Sequence, residues 1–278
     1  MKSILPAGDA QGLNKRADLR AARQEPLRPI VGSGRVHSWQ SGSVWIGRGR
    51  GWSDWHSHHA HQLALALEGE FRFRTDRDMP WTSYRAAIVP SHCPHEFELD
   101  DVTVAHLFVE PESRAGRALS TQFAADDVSP LPAAVARSCA EQLLGALRSN
   151  ADGPAMTACA RAAVDALAGT AEPAVGDARV AQALAYIRRH IRAPVSLADA
   201  AGAAALSPSR FRHLFVAETG TSFRGYVLWL RINVAIDAAM AGASWTEAAH
   251  EAGFADSSHL SRTHKRMFGI EPTAIRHE

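Results

Sequence analysis

Residues 252–276 read AGFADSSHLSRTHKRMFGIEPTAIR, and this stretch decides how the C-terminal third folds. Gly253 and Gly269 are helix-end residues, and Asp256 is a good helix N-cap. Between the cap and Gly269, Leu260 and Phe268 fall on one side, with Met267 beside them, and are predicted to be buried. Ser257, Ser258, His259, Ser261 and Arg262 fall on or near the free side. Arginine can take both major-groove acceptors of guanine, and serine and histidine can bond base edges or phosphates. Lys265 and Arg266 suit phosphates, contacts that position a protein on DNA without reading sequence.

Working upstream, SLADAAGAAALSPSRFRHLFVAETGTSFRGYVLWLRI (196–232) carries the same design. Short helices are predicted around 197–219 and again around 245–268, with a longer helix from about Ser222 to Ala241 between them. Ser196, Ser207, Thr221, Ser244 and Asp256 mark the starts; Gly220, Gly242, Gly253 and Gly269 mark the ends. In the first unit Phe211, Leu214 and Phe215 form an apolar stripe at i, i+3, i+4. Ser209, Arg210, Arg212 and His213 point away from it. Arg224 and Arg231 join Lys265 and Arg266 as phosphate candidates. A solvated polar face on a helical bundle would carry any one of these residues; the full set, twice and in order, argues for DNA.

From about Ala178 to Arg276 these motifs resemble the DNA-binding domain of AraC/XylS-family transcription regulators. The most specific words are the Ala-Gly-aromatic run, the Ser-Arg pair, the basic pair, Phe-Gly, Pro and the closing Arg. The resemblance implies two helix-turn-helix units on double-stranded DNA, their recognition helices about one turn or ~34 Å apart. It also implies a homodimer, with RNA polymerase as a further partner. At His264 the family usually carries a large apolar residue, so this ring must find a buried partner or sit partly exposed.

The upstream part has a different texture. Residues 1–25 read as a flexible polar arm and 171–177 (with 178–278 the DNA-binding domain beyond) as a short linker. Residues 26–112 hold short runs such as SVWIG, QLALALEG, FRFRT and VTVAHLFVE, separated by Gly, Pro and Asp, which reads as an antiparallel barrel. Residues 113–170 are Ala/Leu-rich and helical, with a helix pair over about Pro132–Ala168 that is expected to make a dimer contact, as in the family. The expected fold class is α+β: an N-terminal antiparallel β-barrel of cupin or jelly-roll type plus a helix pair, then an all-α C-terminal domain.

Inside the barrel region lies DWHSHHAHQ, Asp54 to Gln62. His56, His58 and Gln62 share parity, so one continuous strand would turn them to one side. His59 and His61 have the opposite parity and belong to the other face or to solvent. The stretch, with Gly69 and with Pro90, Pro94 and His95, resembles the two cupin motifs, with Gln62 where that fold has Glu. The resemblance implies an effector-binding domain with His56, His58, Gln62 and His95 around its site. Three imidazoles and an amide oxygen are a plausible set for a divalent transition metal. A hydrogen-bonded polar lining is the simpler alternative, and a small organic effector among Trp39, Trp45, Trp52, Trp55, Trp81 and Tyr84 is another. Cys93, beside the site, reads as an inert packed thiol. The uncharged Gln62 weighs against a metal-dependent cupin enzyme fused to a regulatory domain, and no catalytic residues are assigned.

Charge is divided mildly. From Asp177 on there are twelve Lys or Arg against nine Asp or Glu, within a whole-chain net charge of +1. That weighs against a nucleoid-type DNA binder without an effector. Three unpaired-looking cysteines, no signal-peptide core and no membrane-length apolar run point to a cytoplasmic chain without membrane association. The expectation is a ligand- or metal-responsive, sequence-specific transcription regulator.

Overall fold

The computed structural model describes residues 28–170, 172–173 and 175–277; the arm expected over 1–25 lies outside the described residues. Strands β1 (Val31–Trp39) and β2 (Gly42–Trp52) pair antiparallel around a tight turn at Gln40–Ser41, with Ser41 at φ +70°. The sheet is organised by the long β7 (Glu96–Val109). One edge of β7 pairs with β2; the other pairs with β3 (His61–Glu68) and then β4 (Phe71–Arg74). Strand β5 (Thr82–Tyr84) adds to β4, β6 (Ala86–Val89) to β3 and β8 (Ser129–Pro130) to β6. A bulge between Gly49 and Gly51 bends β2. Gly51 sits at φ +110°, where a Cβ would come within 2.6 Å of the Arg28 carbonyl oxygen, so only glycine fits.

The expected closed barrel is not formed. The sheet follows the order β8-β6-β3-β7-β2-β1 and ends on β9 (Ile275–His277), which pairs parallel with β1. The free edge of β1 is taken by the C-terminus of the chain rather than by another N-terminal strand, so the sheet wraps but stays open.

Strand alternation sorts the two faces. Val44, Ile46, Leu63, Leu65, Ile88 and Leu107 point outward and are buried under three helices, α1 (Arg114–Gln122), α2 (Ala133–Arg148) and α3 (Gly153–Ala168). Ser113 caps α1 and Asp152 caps α3 through side-chain oxygens. The helix pair lies where the Ala/Leu pattern placed it, and its buried stripe, Leu143, Met156, Val164 and Leu167, faces the sheet. Fully burying each Leu or Val contributes about 1.5–3 kcal/mol.

The C-terminal domain is helical: α4 (Ala178–His190), α5 (Leu197–Ala203), α6 (Pro208–Thr219), α7 (Phe223–Met240), α8 (Trp245–Glu251) and α9 (Ser257–Phe268). Ser196, Ser207, Ser244 and Asp256 cap as expected. The start of α7 is corrected by one residue: Ser222, not Thr221, accepts from Gly225 N, while the Thr221 backbone turns back onto the Thr219 hydroxyl. Gly220 and Gly269 end their helices at φ +69°. Phe211, Phe215, Tyr226, Trp229, Leu260 and Phe268 form the core of this domain, and that core runs without a break into the inner face of the sheet through Trp45, Phe97 and Phe108.

Candidate functional site

On α6 the side chains of Ser209, Arg210, Arg212 and His213 are all exposed. On α9, Ser258 and Arg262 are exposed, while Ser257, His259 and Ser261 are half-buried. Proline and a serine cap fix the first turn of α6, and the Asp256 cap fixes that of α9. The buried stripes Phe211/Phe215 and Leu260/Thr263/Phe268 then leave the arginines on the open side. Among the described residues the guanidinium groups of Arg210, Arg212 and Arg262 make no hydrogen bond or ion pair, so their donors are open to an incoming acceptor.

The four phosphate candidates separate. Arg224 and Arg266 are exposed and make no side-chain hydrogen bond or ion pair among the described residues. Arg231 instead donates to Gly253 O at 3.0 Å and Ala193 O at 3.5 Å, stapling α7 to the end of α8. Lys265 pairs with Asp54 at 3.2 Å and Glu271 at 3.0 Å, so it faces the sensor half of the chain. His264 is buried and its Nδ1 donates to Ile270 O at 2.9 Å, which satisfies the polar ring at the position where an apolar one was expected.

The histidine stretch is not one continuous strand. His56 and His58 lie on an extended segment before β3, joined to His95 by a single backbone bridge between His56 and His95. The convergence still occurs. His56, His58 and His95 are buried and offer ring nitrogens within 4.8 Å of one another. His59 and His61 do face the other way, but neither is in solvent: His59 bonds Glu112 at 2.9 Å and His61 bonds Ser120 Oγ at 2.9 Å.

In each of the three rings Nδ1 donates to a carbonyl two residues away: His56 to Asp54 O at 2.7 Å, His58 to Ala60 O at 2.8 Å, His95 to Cys93 O at 2.9 Å. This fixes the tautomer and leaves the lone pair on Nε2, as in metal-binding histidines. His95 Nε2 is buried with no partner among the described residues. His58 Nε2 lies 2.9 Å from Gln62 Oε1, so two acceptors face each other. The other tautomer of His58 would only move the conflict to Ala60 O. Gln62 Nε2 in turn donates to His106 Nδ1 at 2.8 Å. Burial, with His58 adding to it, pushes His56 down to about 3, burial pushes His106 down to about 4, and burial also carries His95 well below the usual histidine range. The rings are therefore neutral near pH 7.

Beside this cluster is a cavity of about 70 Å³, walled by Trp45, Phe97, Leu99, Val104 and Phe108 of the sheet, by Phe268 and Ile270 of the C-terminal domain, and by His56, Gln62 and His106. Of the six aromatics expected to line a pocket, Trp45 lines this one, and Trp39 lines a separate groove shared with α4 and α7. Trp55 and Trp81 instead lie under the Arg77 and Arg74 guanidinium groups. Gly34 and Gly47 face each other across β1 and β2 on the cavity floor, packed too closely for any side chain. Cys93 is buried, and burial lifts its thiol to about 11, which keeps it inert.

Helix α9 ends on this site. Asp54 N donates to Gly269 O at 2.7 Å, two residues before His56. The Phe268 ring lies 4.8 Å from Trp45 and 5.6 Å from Phe108. A second contact, not foreseen, joins the halves: Arg188 of α4 pairs with Glu110 and, at 3.4 Å, with Glu112, while Trp229 Nε1 donates to Glu110 at 3.2 Å. Burial raises Glu110; at Glu112 the same burial is overcome by the His59 hydrogen bond, which brings it down to about 2. His106 was also missed, though a histidine at an inward position of the apolar run VTVAHLFVE was a signal.

Residues 200–278 match a family model described as a helix-turn-helix domain. A probable transcriptional regulator, LumQ of Photobacterium leiognathi, is 30% identical over 89 residues, 32% of this chain and 36% of that protein; the match thus spans about a third of the relative. The crystal structure of ToxT from Vibrio cholerae O395 has a TM-score of 0.50 at 12% identity, covering 88% of this chain and 94% of that one. ToxT bound to (E)-4-(8-methylnaphthalen-1-yl)but-3-enoic acid also has a TM-score of 0.50, at 11% identity, covering 88% and 97%. At these identities the likeness to ToxT is one of fold. No helix among the described residues is long and apolar enough to cross a membrane. The matched segment, with its capped helices and exposed arginines, is a helix-turn-helix domain.

Proposed function

We propose that this chain is a transcription regulator whose sensor half binds a divalent transition metal at His56, His58 and His95, with Gln62 Oε1 as a fourth donor, and passes that binding to the DNA-reading helices. One observation carries the metal: the lone pairs of His58 Nε2 and Gln62 Oε1 face each other at 2.9 Å. A cation between them turns that repulsion into coordination, and the partnerless His95 Nε2 completes the set. All three rings are already oriented by backbone carbonyls, so little ordering is left to do on binding. Gln62 stands where the cupin motif has Glu, so the carboxylate ligand used by cupin enzymes is missing, which supports sensing. The apolar cavity supports a small-molecule effector as a second reading, and the acid held by the Vibrio cholerae protein of like fold agrees with it.

Coupling runs through the Asp54–Gly269 bond and Phe268. A ligand acts only by favouring one arrangement of α9 over another, commonly by 1–3 kcal/mol. A homodimer through the exposed faces of α2 and α3 would present two such units to repeated half-sites.

Elemental analysis of protein purified without a chelating tag tests the metal. About one metal per chain is expected, and almost none in His95→Ala. A wild-type chain that takes up none on titration would mean that the Gln62 amide is turned over, with its NH₂ toward His58, and that the histidines are lining only.

A further inference from the structure

Trp45 and His106 are directly opposed residues of β2 and β7, so their side chains stand together on one face of the sheet, roughly 5 Å apart at Cβ. Both line the cavity, and each is 8% exposed. Trp45 Nε1–H has no partner among the described residues. His106 Nδ1 accepts from Gln62, so its proton sits on Nε2, which is likewise buried without a partner. A buried donor left unsatisfied is costly, and here two belong to the lining of one largely apolar cavity. No Asp or Glu lines the cavity among the described residues. The two arginines at its rim are engaged elsewhere, Arg48 with Asp101 and Arg35 with Ala151 O and Asn150.

We propose that the cavity binds a small carboxylate, one oxygen accepting from Trp45 Nε1–H and the other from His106 Nε2–H. Its short apolar tail lies against Leu99, Val104 and Ile270. A carboxylate supplies two acceptors side by side, and ionised acceptors make the stronger hydrogen bonds. The cavity is small, about 70 Å³, so a short-chain acid is the fitting probe. The assignment rests on reading the cavity as the effector site and is independent of the metal.

Titration calorimetry on the full chain tests it, with propionate, propanol and propionamide as probes, each on chelator-treated and on zinc-loaded protein. Propionate is expected to bind in both states, at least ~10-fold more tightly than propanol or propionamide. Trp45→Phe and His106→Phe, checked for an unchanged unfolding midpoint, should each lose about 10-fold or more, the scale of a hydrogen bond to a charged group. Equal binding of propanol would overturn the carboxylate. Tighter binding of propionamide would overturn it too, by showing the Gln62 amide reversed and His106 Nε2 an acceptor. Propionate binding confined to zinc-loaded protein and unaffected in His106→Phe would place the acid on the metal and not on this pair. Propionate binding to protein that takes up no zinc would leave the carboxylate site standing and remove the metal reading alone.

Discussion

Arg262→Ala is expected to weaken binding to selected DNA by about 1–3 kcal/mol and to relax preference at one base position, and Arg212→Ala to do the same at a position about one helical turn away. Both guanidinium groups stand on the open side of helices whose opposite sides are packed into the core, and neither has a protein partner to lose. Truncation therefore leaves the fold intact, and an unchanged unfolding midpoint is part of the expected result. The two sites sit on separate helix-turn-helix units, so the losses should add within about 0.5 kcal/mol in the double variant. Arg224→Ala and Arg266→Ala, free and exposed but off the reading faces, should weaken all sequences alike and lower the salt slope by about 1 each. Anisotropy titrations on DNA recovered by in vitro selection separate these cases. Full affinity in both reading-face variants would remove α6 and α9 from the interface.

Gly269→Ala is expected to disconnect the halves of the molecule. Gly269 sits at φ +69°, where a side chain costs roughly 1–2 kcal/mol. That cost is shared by Gly242, at φ +101° with open space around its Cβ position, so Gly242→Ala is the matched control. What differs is the neighbourhood. A Cβ on Gly269 overlaps the Asp54 carbonyl oxygen and comes within 2.5 Å of His56 Nδ1. The His56 ring would have to turn, losing the carbonyl that fixes its tautomer, and the Asp54–Gly269 bond would have to open. Metal affinity, measured by competition with a chelator, should fall about 10-fold or more, the usual effect of losing an orienting partner. Gly242→Ala should lose stability but keep its metal affinity. Matching metal affinities in the two variants would show that α9 does not bear on the histidine site.

The helix-turn-helix units were legible because their signals are local: caps, glycine ends and a three- to four-residue stripe are set by neighbours in the chain. Exposure of Arg210, Arg212 and Arg262 follows from that spacing. The fate of Arg231 and Lys265 did not, since their partners, Gly253 O and Asp54, come from other elements. The same holds for sheet closure: nothing in the strand patterns says that residues 275–277 will take the free edge of β1. The parity argument brought His56, His58 and Gln62 together for a partly mistaken reason. An extended segment, not a strand, carries the first two, and the backbone bridge to His95 aligns them. His59 shows the limit of parity: it says which face, not whether that face is wet. There the other face is a buried interdomain contact closed by Arg188, Glu110 and Glu112.

The most direct measurement is the affinity of the full chain for selected DNA, by anisotropy, with the protein chelator-stripped and then loaded with one equivalent of zinc. Coupling through Asp54 and Gly269 predicts a change of about 5-fold or more between the two states, and its disappearance in Gly269→Ala but not in Gly242→Ala. Equal DNA affinity for stripped and loaded wild-type protein, with zinc shown to be bound, would contradict a sensor that speaks to its recognition helix.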